Sequence, residues 1–103
     1  MRIPIYKDQI PYRFETMFDG VLYTFEVHYN VEHDFFTVDL YRLDELIIYG
    51  EKLVYNEPLF QSLNDDTLPK LIPIDPSGAE ERITYDNFGE TVILQVIEDE
   101  AVQ

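Results

Sequence analysis

The stretch YRFETMFDGVLYTFEVHY, residues 12–29, decides the fold. In its first seven residues Tyr12, Phe14, Thr16 and Phe18 share one side, and Arg13, Glu15 and Met17 the other. Alternation with a period of two is the signature of a strand that buries one face. Asp19-Gly20 follows, two residues that tolerate positive φ and so suit a type I′ hairpin turn. The alternation then resumes. Val21, Tyr23, Phe25, Val27 and Tyr29 point one way, and Leu22, Thr24, Glu26 and His28 the other. Residues 12–29 therefore read as a β-hairpin.

Outward from this hairpin, NVEHD (30–34) breaks the pattern and reads as a turn. FFTVDLYR resumes it, with Phe36, Val38 and Leu40 on one side and Asp39 and Tyr41 on the other. LDE makes another turn, and LIIYGEKLV is a fourth strand interrupted at Gly50. The first half is thus a meander of about four antiparallel strands. In the second half NEPLFQSLNDDTLPK suits a long loop with one helical turn. LIPID is a short extended segment whose Pro73 belongs at a sheet edge or end. DPSG is a β-turn signal, with Pro76 setting φ at its second position. ERITY and ETVILQVIE read as the last strands, separated by a turn at DNFG, and the acidic tail EDEAVQ reads as frayed. The expectation is a single all-β domain over residues 1–103, a small antiparallel barrel or sandwich of about six to eight strands.

Composition agrees. A chain of 103 residues fits one domain. Its 8 Tyr and 7 Phe suit a β-rich core rather than a disordered chain. The absence of cysteine excludes disulfides, thiolate metal sites and cysteine nucleophiles. No apolar run approaches the roughly 20 residues that span a bilayer. The opening MRIPIYKDQIPY has no apolar signal region, so folding in a cytoplasm is expected. The net charge is −14, from 21 acidic and 7 basic residues. Such a surface repels phosphates and anionic lipid, which argues against sequence-specific nucleic-acid binding and membrane binding.

Candidate chemistry is sparse. His28, His33 and Asp34 could supply metal ligands, but zinc needs three or four convergent donors. Five residues across a bend, with no His-x-His or HExxH pattern, do not provide convergence. His28 reads instead as a half-exposed strand residue, and Asp34 as a residue that shapes its turn through a side-chain oxygen. Asp65-Asp66 and Glu80-Glu81 are adjacent carboxylates in loops, with no apolar pocket to set their pKa values apart. NDDT and DPSG lack the alternating ligands of a calcium loop. Ser62 and Ser77 lie outside any G-x-S-x-G elbow, and the four glycines are isolated, so no phosphate loop exists. The expectation is a non-enzyme with no catalytic, cofactor or metal site. Asp39 and Tyr41, opposite the core face of their strand, are the candidates to meet a partner or water. Because aromatics are abundant, the alternative function is a small β-barrel binding an apolar or aromatic ligand.

Several phrases, in order along nearly the whole chain, carry a likeness: IPIYKDQIPYRFE, YTFEVHYNVEHDFFTVDLY, GEKLVYNEPLF, Leu68-Pro69 and NFGETVIL. Together they resemble the baseplate plug family of contractile-tailed phages and related prophage elements. The resemblance implies a structural protein of the virion tail tip, near the junction of tail tube and hub and without catalysis. It further implies baseplate hub or tail-tube proteins as partners, a possible homo-oligomer, and assembly in the host cytoplasm. On that reading the acidic surface either lines a path for DNA, which it would repel, or faces a basic partner.

Overall fold

The computed structural model describes residues 2–63 and 67–97. The Asp65-Asp66 pair and the tail 98–103 lie outside the described residues. Among the described residues seven strands run in chain order: β1 Arg2–Ile3, β2 Tyr12–Phe18, β3 Val21–Asn30, β4 Phe35–Arg42, β5 Glu45–Lys52, β6 Leu71–Ile74 and β7 Ile93–Val96. They form two antiparallel sheets, one of order β2-β3-β4-β5 and one of order β1-β7-β6. The all-β expectation holds, as does the strand count. Strands β2 and β5 do not pair, so the larger sheet stays open. Among the described residues no closed barrel exists to enclose a ligand, and nothing supports the alternative ligand-binding barrel. The chain divides into two compact units, residues 6–53 and residues 1–5 with 54–103.

The 6–53 unit is the meander. Phe18 pairs with Val21, leaving Asp19 (φ 54°) and Gly20 (φ 80°) as the two-residue loop. Both positive angles are those of a type I′ turn, whose twist matches that of the strands it joins. The core face follows the alternation. Tyr23, Phe25 and Val27 of β3 and Phe36, Val38 and Leu40 of β4 are all buried. Phe14 of β2 stacks on Phe25 with ring centroids 5.2 Å apart, and Tyr29 meets Phe36 at 4.8 Å. Such aromatic pairs each add about 0.5–1.5 kcal/mol beyond the area they bury.

In the other unit β6 is an edge strand, as Pro73 requires. Its outer carbonyls are used: Leu59 N–H donates to Leu71 O at 2.9 Å, and Asn56 N–H to Pro73 O at 2.8 Å. The segment that reads as a loop therefore covers the edge and blunts it against pairing with other chains. The helical turn expected in that loop is a 3₁₀ turn, Gln61–Leu63.

Two departures from the sequence reading have local causes. β1 is only two residues long, too short to leave a periodic signal, and it exists because β7 offers it a partner in the pairs Arg2↔Gln95 and Ile3↔Leu94. ERITY is not a strand. The Asn87 side chain takes its backbone groups, accepting from Thr84 N–H at 2.8 Å and donating to Arg82 O at 2.9 Å. Thr84 Oγ1 in turn accepts from Asn87 N–H, and Phe88 N–H donates to Thr84 O. An Asn side chain that mimics the main chain competes with ladder formation.

Asp75 organises the DPSG turn. Its carboxylate accepts from Ser77 Oγ (2.7 Å), Ser77 N–H (2.9 Å), Ala79 N–H and Glu80 N–H (both 3.0 Å). The Ser77 hydroxyl, foremost, holds the Asp75 carboxyl below its usual range; burial opposes this, and the three amides reinforce it.

Two outcomes are expected. Gly20→Val places a β-branched residue at φ 80° and should cost about 1–3 kcal/mol in urea unfolding, whereas Gly20→Asn should cost much less. Equal losses would show that β-branched strain at this φ is not what the turn excludes. For Asp75, a carboxyl with a lowered folded pKa contributes stability above the unfolded value of about 3.9, which is lost as pH falls through the folded value. The melting-temperature advantage of wild type over Asp75→Ala should be constant from neutral pH to about pH 5 and shrink in stronger acid. An advantage that grows on acidification would contradict the assignment.

Candidate functional site

The register of β3 on β4 builds a polar face opposite the core. Thr24 lies across from Tyr41, Glu26 from Asp39 and His28 from Thr37. On the other side of β3, Arg13 of β2 lies across from Glu26. A row Arg13–Glu26–Asp39 therefore crosses three strands. Two carboxylates directly opposite one another on a ladder repel, so their surroundings must compensate.

The row ends at a bulge in β5. Val38 pairs with Glu51 and Leu40 with Ile48, so two residues of β5, Tyr49 and Gly50, stand opposite Asp39 alone. Gly50 takes φ 75°, and its N–H donates to Asp39 Oδ1 at 2.8 Å. A positive-φ glycine at such a point lets the extra residue be absorbed without breaking the strand. This is why β5 runs through Gly50 instead of being interrupted there. The bulge also turns Tyr49 outward, where it is 76% exposed.

The remaining contacts converge on one nitrogen. His28 Nε2 lies 3.2 Å from Asp39 Oδ2 and 3.3 Å from Glu26 Oε1. Glu26 Oε2 lies 3.6 Å from Arg13 Nη2. The Arg13 guanidinium sits over the Tyr41 ring, 4.9 Å from its centroid. A shallow cleft of about 290 Å³ opens beside the cluster, lined by His28, Asp39, Phe35, Tyr49 and Gly50 among others.

Of the residues singled out in the sequence, Asp39 is 1% exposed. It does not stand free in water on the outer face, because the bulge folds over it and its carboxylate is engaged by Gly50 and His28. Tyr41 is half-buried under Arg13. His33 and Asp34 stay in the turn, apart from His28. His33 N–H donates to Asn30 Oδ1, and Asp34, at φ 56°, accepts from Tyr29 Oη–H at 2.7 Å. Asp34 thus uses its side-chain oxygen to hold the turn. Glu80 accepts from Thr91 Oγ1 at 2.8 Å, and Ser77 serves the Asp75 turn. Glu26 shares the polar face of its strand with His28 in the sequence pattern but does not stand out there as a site residue. The signal for it was present in two parts: its i, i+2 spacing from His28 and the register that follows from a four-residue turn.

Among the described residues the larger sheet carries a polar cluster, Arg13, Glu26, His28 and Asp39, on the face opposite its core. The family model for the cyanophage baseplate Pam3 plug gp18 matches residues 1–100, and the chain belongs to this family of phage baseplate plugs. Its role is that of a structural plug component of a phage baseplate, and it interacts there with other baseplate proteins. No curated protein matches the chain. Among the described residues no helix is long and apolar enough to cross a membrane.

The Asp39–Gly50 contact gives a direct test. Asp39→Ala leaves the bulge amide without its charged acceptor and should cost about 1.5–3 kcal/mol in urea unfolding. Asp39→Asn keeps a carbonyl acceptor, relieves the repulsion from Glu26, and should cost much less. An alanine variant as stable as wild type would show that the bulge holds without this bond.

Proposed function

We propose that the protein is a non-enzymatic plug of a contractile-tail baseplate, seated near the junction of tail tube and hub. The observation that carries this reading is the family match, which covers residues 1–100 of the 103. On it the protein assembles in the host cytoplasm and contacts hub or tail-tube proteins. The outer face of the larger sheet supplies a contact surface. Tyr41 lies there beneath Arg13, and Asp39 takes part by anchoring the bulge that presents Tyr49. Aromatic and arginine side chains of this kind anchor protein interfaces. The charge of −14 suits a place beside a DNA path, since phosphate would be repelled rather than held.

The same charge governs self-association. Identical copies repel at low salt, and closure into a ring must bury enough apolar surface to exceed that repulsion; standard interfaces remove roughly 1,600 Å² in total. Screening shortens the reach of the repulsion to about 8 Å at physiological ionic strength. The pure protein should therefore sediment as a monomer or weak oligomer at low salt, and associate further as salt rises or when its baseplate partner is added. Analytical ultracentrifugation across a salt series measures this. A tight oligomer that loosens on adding salt would show that attractive charge pairs hold the interface.

A further inference from the structure

We infer that Glu26, His28 and Asp39 form a binding site for a divalent transition-metal ion of the zinc class. One ligand atom from each lies within 4.8 Å of the other two. Nε2 of His28 stands 3.2 Å and 3.3 Å from one oxygen of each carboxylate. Three donors at bond lengths of 2.0–2.1 Å around a tetrahedral zinc ion lie ~3.3–3.4 Å from one another. The two separations from Nε2 are thus already those a zinc ion imposes.

The bland alternative is a shared hydrogen bond. A single Nε2 carries at most one proton, yet two carboxylate oxygens face it at nearly equal distance. One proton serves two acceptors poorly, whereas a cation is held better by each added anionic donor. The opposition of Glu26 and Asp39 across the ladder sharpens the contrast, because an ion between them turns a repulsive pair into a ligand pair.

The outer atoms of both carboxylates are independently held. Asp39 Oδ1 accepts from the Gly50 amide, and Glu26 Oε2 faces the Arg13 guanidinium. Oδ2 and Oε1 are left aimed at the imidazole. Holding the far oxygen of a carboxylate so that the near one points inward is how surrounding groups orient metal ligands. Asp39, 1% exposed, is a buried carboxylate whose charge must be matched by partners or a metal. The cleft beside His28 and Asp39 leaves room for water, or for a partner's side chain, as the fourth ligand. One nitrogen and two oxygen donors suit Zn²⁺, and Co²⁺ reports the same geometry. All three donors stand on paired strands, which fixes their positions better than a loop would.

The test uses the full chain, stripped with a chelator and titrated with ZnCl₂ by calorimetry and with CoCl₂ by visible absorption. Wild type should bind one equivalent, with cobalt ligand-field bands of low-coordinate N/O type. His28→Gln and Glu26→Gln should each weaken zinc binding by more than about tenfold, the loss expected when a metal site is disturbed even outside its ligands. His33→Ala, in the neighbouring turn, should bind as wild type does. Both ligand variants alter half-buried side chains, and circular dichroism of each metal-free form checks that it folds; either one that folds suffices. Absence of saturable binding up to millimolar metal overturns the proposal. So does binding that survives His28→Gln and Glu26→Gln, or that His33→Ala weakens equally.

Discussion

A slip of one residue between β3 and β4 would exchange the two faces of the larger sheet, and both halves of its design rest on that register. As paired, Phe25 meets Leu40, Val27 meets Val38 and Tyr29 meets Phe36, and all the β4 partners are buried. The same register sets Glu26 opposite Asp39 and brings His28 beside both. Two features hold it. The hydrophobic alternation would lose its core if shifted. The turn after Asn30 is also closed, by Asp34 N–H on Asn30 O at 2.9 Å and by the Tyr29 hydroxyl on Asp34. The polar cluster is therefore a consequence of how the core is built, and it needs no loop to position it.

The bulge in β5 is the counterpart of that row. A regular β5 would place one residue opposite Asp39; the extra residue lets Gly50 turn its amide toward the carboxylate instead. A glycine suits the position because its φ of 75° is strained for a residue with Cβ, although open space surrounds the point where a Cβ would stand. The constraint here is backbone conformation and not crowding. At Gly89 both apply, since a Cβ there would approach Ile5 Cβ to 3.2 Å at a φ of 88°.

The sequence was most legible where one rule acted alone. The hairpin at Asp19-Gly20 needed only period-two alternation and a turn dipeptide, β4 followed the same alternation, and Pro73 alone put β6 at a sheet edge. It was least legible where side chains replaced backbone partners. ERITY has the composition of a strand, but Asn87 and Thr84 capture its polar groups, and no propensity scale registers such a competition. β1 is invisible for the opposite reason: two residues carry no period, and only the long-range pairing with β7 makes them a strand. The polar cluster was half legible. His28 is one of two histidines, and proximity in the chain suggests His33 and Asp34 as its companions. Strand pairing instead brings in Asp39, eleven residues away, and leaves His33 in its turn.

A small β-meander can bring donor side chains together without the local motifs of a helix. Motifs such as HExxH work because a helix brings residues four apart to one face. A meander has no such local device, so its ligand sets are assembled from i, i+2 neighbours on one strand and the residue opposite on the next. Glu26, His28 and Asp39 have that pattern. Within it, burial is graded: Asp39 sits under the bulge, Glu26 is half-buried beneath Arg13, and His28 meets the cleft. The excess of acid over base, 21 against 7, adds a general pull on cations, but a field of that kind selects no site. Selection comes from the one place where the ladder aims two carboxylate oxygens at a single imidazole nitrogen, and where Gly50 and Arg13 hold the other oxygens away from it.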